Sequence, residues 1–477
     1  MAKKKSITKP KSSPKPKSQI KSLPDWLTNT RMHLIVLFLL SFLLYANTFG
    51  HDYAQDDAIV ITENMFTKEG LNGISGIFSK DTFFGFFKVE GKDKLVSGGR
   101  YRPFTLLLFA IEYQFFGENP MIGHVMNALY YGLTVLVLYL VLLYLFNHQL
   151  PANRNQAYVV ALLSSLLFAT HPIHTEAVAN IKGRDEIFAL LGSLSALLLC
   201  LKAYREKKGV LWLIGAGVCL LIGLLSKENT ITFLAVIPFA FYFFTKASIK
   251  KILISMLPII GATVLFMIIR TSILGLDFGA PSRELMNNPF LKLVNGTYVD
   301  FTAGEKLATI FFTLGKYLLL LFFPHPLSHD YYPRQIDVMT FGNGMVILSL
   351  LVYIALGVYA LLGIKKKDPI SFAIIYFLAT LSIVSNIVFP VGTNMSERFL
   401  FMPSVGFCMA IGVLAFRLCN KGTSFQLLPV YLIVAISLFF SVKTITRNFI
   451  WKNNYTLFTN DVKTSSESAK LRNAVGG

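Results

Sequence analysis

Charged residues are scarce in this sequence. Only 15% of the 477 residues are charged, whereas a soluble domain usually carries about 25%. Hydrophobic residues make up 54%, and many apolar runs are roughly 20 residues long, which is the length that a bilayer core requires. These proportions exclude a water-soluble core as the main architecture. They predict an all-α polytopic membrane protein.

Cysteine is also scarce, with four residues in the whole chain. Cys200, Cys219, Cys408 and Cys419 lie in or at the ends of apolar runs. Their spacing matches neither a disulfide framework nor a zinc site. The cysteines therefore predict no disulfide scaffold and no metal site.

Positive charge exceeds negative charge, and the formal net charge is +19. Much of the excess lies in the first 25 residues, which are rich in Lys, Pro and Ser and are expected to be disordered. A basic tail before a first membrane helix is typical of a cytoplasmic segment, and it can also contact anionic lipid headgroups. We therefore interpret 1–31 as a cytoplasmic tail rather than a nucleic-acid-binding arm.

The apolar runs and the Lys/Arg clusters between them predict eleven membrane spans. The amino terminus is then cytoplasmic and the carboxyl terminus lies outside. The transmembrane domain covers 32–445, with two long extracytoplasmic loops at 51–120 and 273–342, and 446–477 forms an outer tail. The spans are expected at about 32–50, 121–147, 157–171, 187–203, 209–226, 230–245, 252–272, 343–364, 369–389, 399–417 and 425–443.

The run at 307–323 is also apolar enough to cross a membrane. If it crossed, Lys365, Lys366 and Lys367 after the next span would fall outside, against the rule that basic loops stay in the cytoplasm. We therefore expect this run to dip into the membrane or to lie along it.

Two neighbouring carboxylates, Asp56 and Asp57, follow the first span. An enzyme that makes a glycosidic bond needs a base to take the proton of the acceptor hydroxyl, and a carboxylate within hydrogen-bond reach is suitable. An exposed acidic turn without function is the alternative. At the mouth of a membrane helix we favour a base, with either carboxylate as the base and its neighbour as the orienting group.

His171, His174 and Glu176 follow the third span on the same predicted side. Two histidines three residues apart with a nearby Glu could bind a metal. Pro172 lies between the histidines and interrupts helical spacing. Hydrogen bonding, to a sugar or within the protein, is therefore favoured over a metal site.

Several basic residues lie beside acidic residues at predicted membrane boundaries. A lipid-phosphate donor needs cations for its phosphate, and Arg offers a planar pair of donors for that role. The alternative is internal pairing of Arg and Glu that holds loops together. The candidates for donor binding are Arg102, Arg184, Lys227, Glu228, Glu397 and Arg398.

The motifs also occur in a characteristic order along the chain. They are Asp56-Asp57, Arg102-Pro103, His171 to Ala179, Gly183-Arg184, Ser226 to Glu228, Lys316-Tyr317 with Pro324 to Tyr331, and Ser396 to Phe399 with Pro403-Ser404. This order resembles that of the transmembrane and tetratricopeptide-repeat O-mannosyltransferases and their bacterial relatives, in the GT-C glycosyltransferase superfamily. The resemblance covers about residues 32–460, and 451–455 with 465–470 look like the lead-in to the repeats that the family usually carries.

The resemblance implies a GT-C type multi-pass enzyme that inverts the anomeric carbon. Its donor would be a polyprenyl- or dolichyl-phosphate sugar, with mannose as the implied sugar, and its acceptor a hydroxyl of protein Ser or Thr or of a glycan. Asp56 or Asp57 would be the base. The site would face the extracytoplasmic side of a bacterial inner membrane, or of the endoplasmic reticulum membrane in a eukaryote.

No cofactor is expected, because Arg184 or Arg398 can neutralise the departing phosphate without a divalent metal. The main alternative function is a transporter or flippase of lipid-linked glycans, and a further one is a scaffold without catalysis. A transporter would favour charges deep within helices and internal inverted repeats. The polar residues concentrate instead at one predicted surface and no convincing repeat is visible, so the transferase is favoured.

Overall fold

The computed structural model describes residues 24–91, 99–149, 154–206, 209–275, 285–388, 390–420 and 426–476. Most of the basic tail predicted at 1–31 therefore lies outside the described residues. The described chain is helical apart from its turns and one two-stranded antiparallel hairpin. The all-α prediction is confirmed.

The helices and strands follow one another as a long series of membrane-sized helices interrupted by short elements. In chain order they are α1 (Thr30–Leu43), α2 (Met65–Lys68), α3 (Ile74–Ser79), α4 (Phe84–Phe87), α5 (Pro103–Phe116), α6 (Pro120–Gln149), α7 (Arg154–Thr170), α8 (Thr175–Ala179), α9 (Arg184–Arg205), α10 (Gly209–Ser226), α11 (Phe233–Phe244), α12 (Ile249–Leu274), β1 (Leu291–Val294), β2 (Thr297–Asp300), α13 (Ala303–Phe322), α14 (Gly344–Ile364), α15 (Pro369–Ser382), α16 (Ser404–Cys419), α17 (Leu428–Asn448), α18 (Asn454–Thr464) and α19 (Ala469–Gly476).

Within the described residues, seven helices are long and apolar enough to cross a membrane, or eight if one bent pair is a single span. The seven are α1, α6, α9, α10, α12, α14 and α17, some with an adjoining turn. The bent pair is α7 with Pro172–Ala179, which meet at 53°. The other predicted spans correspond to the shorter apolar helices α11, α15 and α16. Each predicted span thus coincides with a helix, but the count of eleven is not confirmed.

Small residues let the central helices approach closely, as is common where lipid supplies no hydrophobic drive between helices. A Cβ added to Gly192 on α9 would lie 2.5 Å from the carbonyl oxygen of Cys219 on α10. A Cβ added to Gly406 on α16 would lie 2.5 Å from the carbonyl oxygen of Ala373 on α15. The first contact packs α9 closely against α10, and the amino-terminal end of α9 carries part of the charged cluster described below.

The run predicted to lie along or dip into the membrane forms α13. Thr302 and Glu305 build a capping box at its start, which satisfies the free backbone N–H groups there. One face, including Leu314 and Tyr317, is buried, while Leu319 on another face is exposed. α13 is not among the candidate spans of the described residues, and the expectation that it does not cross stays a prediction.

The two long loops meet the end of the chain on one side of the bundle. The first long loop, 51–120, joins the segment after α17 through a bond from the Asp52 N–H to the Lys452 carbonyl oxygen, 2.9 Å. The second long loop, 273–342, joins α19 through a bond from the Ala469 N–H to the Pro333 carbonyl oxygen, 3.1 Å. A charged pocket lies beside the first loop on this side.

Candidate charged pocket

The two carboxylates in the turn after α1 differ in exposure: Asp57 is buried and Asp56 is partly exposed. Gln55 adopts a left-handed backbone conformation, with φ of 54°. Asp57 is 1% exposed, and its carboxylate accepts hydrogen bonds from the N–H groups of Ala54, 3.0 Å, and Lys182, 2.7 Å. Burial raises the pKa of Asp57 to about 7, and these N–H donors act in the opposite direction. Asp57 thus joins the first long loop to the turn before α9, and both its oxygens are occupied.

Asp56 is the carboxylate that opens into the pocket, and 28% of its side chain is exposed. Its Oδ2 atom lies 3.9 Å from Lys182 Nζ and 3.8 Å from Arg398 Nη1. Burial works to raise the pKa of Asp56, but the nearby charges of Lys182, Arg398 and Arg100 outweigh it and lower that pKa below its usual value. Asp56 is therefore ionised at neutral pH, close to cations and open to a ligand.

The pocket around Asp56 is lined by both basic and acidic side chains and by apolar residues. Arg100 and Lys182 line it, although neither is among the site residues predicted from the sequence. Arg100 stands two residues before Arg102 in the sequence, and this closeness is the signal that could have identified it. The lining residues are Asp56, Ile59, Val60, Thr82, Phe83, Arg100, Arg102, Thr105, Phe109, Lys182 and Asp185.

Arg102 lies in the pocket wall, but its guanidinium is paired. It donates to Glu228 Oε2 from Nε, 3.1 Å, and from Nη2, 2.9 Å, and to Asp185 Oδ2 from Nη1, 2.7 Å. Lys182 Nζ also lies 3.2 Å from the same Asp185 oxygen. Arg102 and Glu228, both predicted donor ligands, thus join the first loop to α9 and to the turn after α10. They form the wall rather than a free binding group.

Lys227 is buried in a close ion pair with Glu186 of α9. Its ammonium also lies 5.6 Å from the centre of the Phe399 ring. The internal pairing considered from the sequence therefore describes Lys227 better than a role in donor binding.

Arg398 is the predicted phosphate ligand that retains donor capacity beside Asp56. Glu176 holds it: this carboxylate accepts from the Arg398 N–H at 2.8 Å and lies 3.2 Å from Arg398 Nη1. Ser396 Oγ donates to both oxygens of Glu176, at 2.9 and 3.1 Å. Nη1 of Arg398 makes no hydrogen bond within the described structure. Glu176 thus orients Arg398, whose guanidinium lies beside Asp56, although Arg398 is not among the residues that line the pocket.

The histidines of the His171 motif are bonded within the bundle. His171 Nε2 lies 2.9 Å from the Leu321 carbonyl oxygen, and its Nδ1 accepts from a backbone N–H. His174 lies 3.0 Å from the Tyr131 hydroxyl through Nδ1 and 2.9 Å from the Ser404 hydroxyl through Nε2. Both rings are buried, so neither a metal nor a sugar is suited to them. Across the described residues, no group of three or more His, Cys, Asp or Glu could hold a metal ion.

Arg184 does not fit its predicted role as a phosphate ligand. Its guanidinium donates to Asn127 Oδ1 at 2.8 Å, to Glu112 Oε1 at 2.5 Å and to the Gly123 carbonyl oxygen at 3.1 Å. It also lies 4.5 Å from the centre of the Phe109 ring, and it is fully buried. Arg184 therefore braces α5 and α6 against α9, because distant partners use its donors.

Glu397 does not fit a role in donor binding either. Its Oε1 atom accepts from the Ser328 N–H at 2.5 Å and from the Tyr331 hydroxyl at 2.8 Å. Burial raises the pKa of Glu397 to about 8, against the attraction of Arg447. Glu397 therefore anchors the second long loop to the turn that carries Arg398.

The fold and the pocket together define an all-α integral membrane protein with a charged site where its first long loop meets the helix ends. Residues 102–274 match the family model for dolichyl-phosphate-mannose-protein mannosyltransferases. A protein O-mannosyl-transferase of Caenorhabditis elegans is 26% identical over 454 residues, covering 93% of this chain and 59% of that protein. One of Homo sapiens is 27% identical over 413 residues, covering 79% and 42%.

These matches agree with the resemblance predicted from the motifs: the chain is similar to protein O-mannosyl-transferases. It spans about half the length of the curated relatives it matches. Among solved structures, the apo oligosaccharyltransferase of Archaeoglobus fulgidus aligns with 92% of this chain and 56% of its own, at 14% identity and a TM-score of 0.45.

Proposed function

We propose that this protein is a membrane glycosyltransferase. It moves a sugar, with mannose as the first candidate, from a polyprenyl- or dolichyl-phosphate donor to the hydroxyl of a Ser or Thr side chain. The observation that carries the proposal is the ionised, partly exposed Asp56 with Lys182 and Arg398 beside it. The family model and the names of the relatives support the sugar and the lipid-phosphate donor.

The chemistry follows from this arrangement. Asp56 accepts the proton of the acceptor hydroxyl while that oxygen attacks the anomeric carbon from the face opposite the phosphate. A new bond forms between carbon and the acceptor oxygen, the bond from carbon to the phosphate oxygen breaks, and the phosphate leaves with the electron pair. The configuration at the anomeric carbon inverts. Arg398, Arg100 and Lys182 stabilise the negative charge that develops on the phosphate.

The assignment of Asp56 as the base, with Asp57 as its support, rests on their surroundings. Asp57 holds the turn and orders the backbone of Lys182 through the bond at 2.7 Å. The carboxylate of Asp56 accepts no backbone N–H among the described hydrogen bonds, and its Oδ2 atom lies 3.8 and 3.9 Å from cationic groups. A base needs an oxygen that the acceptor hydroxyl can reach, and Asp56 provides one.

Matched substitutions in one loop test this assignment. Asp56→Asn should lower the rate of sugar transfer to a Ser/Thr peptide by a factor of about 100 or more, the usual contribution of a general base. The matched control is Asp52→Asn, an exposed carboxylate of the same loop, which should keep the wild-type rate. Transfer would be followed with a purified protein and a radiolabelled lipid-phosphate sugar. An Asp56→Asn variant as active as the Asp52 control would refute the proposed role.

The proposal also places the pocket on the extracytoplasmic face, opposite the lysine-rich ends of α9, α12 and α14. Single cysteines at Asn72, Asn295 and Ser466 are on exposed residues of the pocket side, and one at Ser248 is on the lysine side. In a background free of native cysteines, a membrane-impermeant thiol reagent should label the first three in intact cells and Ser248 only after permeabilisation. Protection of the Ser466 position alone among the first three would show that α13 crosses the membrane.

A further inference from the structure

The residue directly before Asp56 has a strained backbone. Gln55 has a φ of 54°, in the left-handed region that residues other than glycine adopt at a cost in free energy. Such a conformation persists only where contacts with the surrounding structure hold it. Because Gln55 and Asp56 share a peptide bond, the contacts that hold Gln55 also set the direction in which the Asp56 carboxylate points.

Two hydrogen bonds from different parts of the chain hold Gln55. Its backbone N–H donates to Oδ1 of Asn454, the first residue of α18, at 2.6 Å. Its side-chain Oε1 accepts from Asn180 Nδ2 at 3.2 Å. Asn180 Oδ1 in turn accepts from the Lys182 N–H at 3.1 Å. Gln55 is therefore held between the segment after α17 and the turn that carries Lys182 of the pocket.

The start of α18 is a rigid support for the first of these bonds. Arg447 at the end of α17 donates from Nη1 to Asp461 Oδ1 at 2.5 Å and from Nη2 to Oδ2 at 2.8 Å, and both residues are buried. Asn453 and Thr456 form a capping box at the amino-terminal end of α18. The ion pair and the cap fix the position of Asn454 relative to the membrane helices.

The side chain of Asn454 serves the turn rather than its own helix. Among the hydrogen bonds of the described residues, that side chain makes only the bond to Gln55. Asn460 of the same helix differs, because its Nδ2 donates within α18 to the Thr456 carbonyl oxygen at 2.9 Å. The backbone bond from Asp52 to Lys452 also joins the first loop to this segment and does not involve Asn454. A change at Asn454 should therefore alter the turn while the loop stays docked.

We propose that Asn454 is a positioning residue for the catalytic base, and this inference rests on the proposed function. Its bond to the Gln55 N–H holds the left-handed turn that directs Asp56 into the pocket. Without that bond, Gln55 can relax towards negative φ, and the Asp56 carboxylate moves away from the place where it meets the acceptor hydroxyl. Small displacements of a reacting group are costly to the rate even when substrates still bind. The segment after the last membrane helix thereby contributes to catalysis.

The test compares Asn454→Ala with Asn454→Asp and with Asn460→Ala, the matched control on the same helix. Each purified full-length protein is assayed for sugar transfer from a radiolabelled lipid-phosphate sugar. Asn454→Ala should lower kcat about tenfold or more, with little change in the KM for the donor or in Tm. Asn454→Asp keeps an acceptor oxygen for the Gln55 N–H and should restore most of kcat. Asn460→Ala should have the wild-type kcat.

Hydrogen exchange reports on the bond without relying on activity. The amide of Gln55, followed in a peptide that covers residues 53–57, should exchange faster in Asn454→Ala than in wild type. Asn454→Asp and Asn460→Ala should both retain the wild-type exchange rate. Faster exchange in Asn454→Ala together with a lower kcat supports the positioning role.

Three results would overturn the inference. They are a wild-type kcat in Asn454→Ala, a failure of Asn454→Asp to restore kcat, and a loss of kcat accompanied by an equal loss in the Asn460→Ala control. If Asn454→Ala behaves as wild type while Asp56→Asn is inactive, only this inference fails. If the wild-type protein transfers no sugar, the proposed function fails and this inference with it, whatever the exchange of the Gln55 amide shows.

Discussion

The pocket at Asp56 and the ion pairs deeper in the bundle both contain arginines beside carboxylates, but the hydrogen bonding of these arginines differs. Arg184 has every side of its guanidinium occupied by Asn127, Glu112 and a backbone oxygen. Arg398 Nη1 makes no hydrogen bond within the described structure and lies 3.2 Å from Glu176 and 3.8 Å from Asp56. A local motif of Arg beside an acidic residue therefore does not determine whether the Arg binds a ligand or holds the fold together. That role depends on how many N–H donors of the guanidinium have no partner within the protein.

Among the substitutions that compare the two regions, Arg398→Ala is expected to have the largest effect on sugar transfer. Loss of a cation beside the departing phosphate should lower kcat by a factor of about 100, in the range found when one preorganised donor is removed. The matched control is Arg417→Ala, because Arg417 pairs with Asp368 at a distance from the pocket. Sugar transfer by the two purified variants would be compared, and equal rates would remove the distinction between the two regions.

Arg184→Met should act on stability instead. Removal of the guanidinium leaves Glu112 without its partner, and breaking one side of a buried ion pair costs about 3 kcal/mol. The control is Arg472→Met, which breaks an exposed pair with Glu467 and should cost less than about 1 kcal/mol. Thermal unfolding in detergent measures both. A stable Arg184→Met protein that has lost binding of polyprenyl phosphate would reverse the roles assigned to Arg184 and Arg398.

Glu397 is buried and bonded within the protein, and we expect it to make a smaller, pH-dependent contribution to stability. Burial raises the pKa of Glu397 to about 8 in the folded protein, above its ordinary value, so the folded state holds a proton that the unfolded state has lost. Stability should therefore fall as pH rises from about 5 to about 8. Glu397→Gln mimics the protonated carboxyl and should raise Tm at pH 8 relative to wild type, with little change at pH 5. A parallel pH dependence of Tm in both proteins would contradict the assignment.

The smallest effect is expected from removal of metal ions. Arg398, Arg100 and Lys182 can supply the positive charge that the phosphate needs, so excess EDTA should leave most of the transfer rate. Loss of activity in EDTA with recovery on addition of Mg²⁺ or Mn²⁺ would show that the cations alone do not neutralise the leaving group. It would also favour the metal site that was weighed for His171, His174 and Glu176.

Much of the fold could be predicted because the length of an apolar run and the positive charge of a loop are properties of short stretches of sequence. Each expected span coincides with a helix, and α13 carries the charges that keep it out of the candidate spans. The short helices show the limit: 3-10 helices at Glu228–Thr232 and Glu397–Leu400 precede α11 and α16, and α15 ends at Ser382, before the predicted end at 389. Hydropathy indicates whether a segment is apolar enough to cross a membrane, but it does not indicate where a helix begins or ends.

The site was predictable in its location but not in its assignments. Asp56 and Asp57 are neighbours in sequence, and they differ because the N–H of Lys182, far along the chain, reaches only Asp57. Arg184 and Glu397 are occupied by partners from other loops, which the local motif does not show. Contacts with residues distant in the sequence therefore determine which charged side chains can bind a substrate and which stabilise the fold.

The position of the donor phosphate tests the central claim most directly. A cryo-electron microscopy structure of the Asp56→Asn variant with a polyprenyl-phosphate sugar should place the phosphate against Arg398, Arg100 and Lys182. The anomeric carbon should face residue 56. Arg184 should keep its bonds to Glu112 and Asn127. A phosphate bound at Arg184, or a sugar remote from residue 56, would contradict the account.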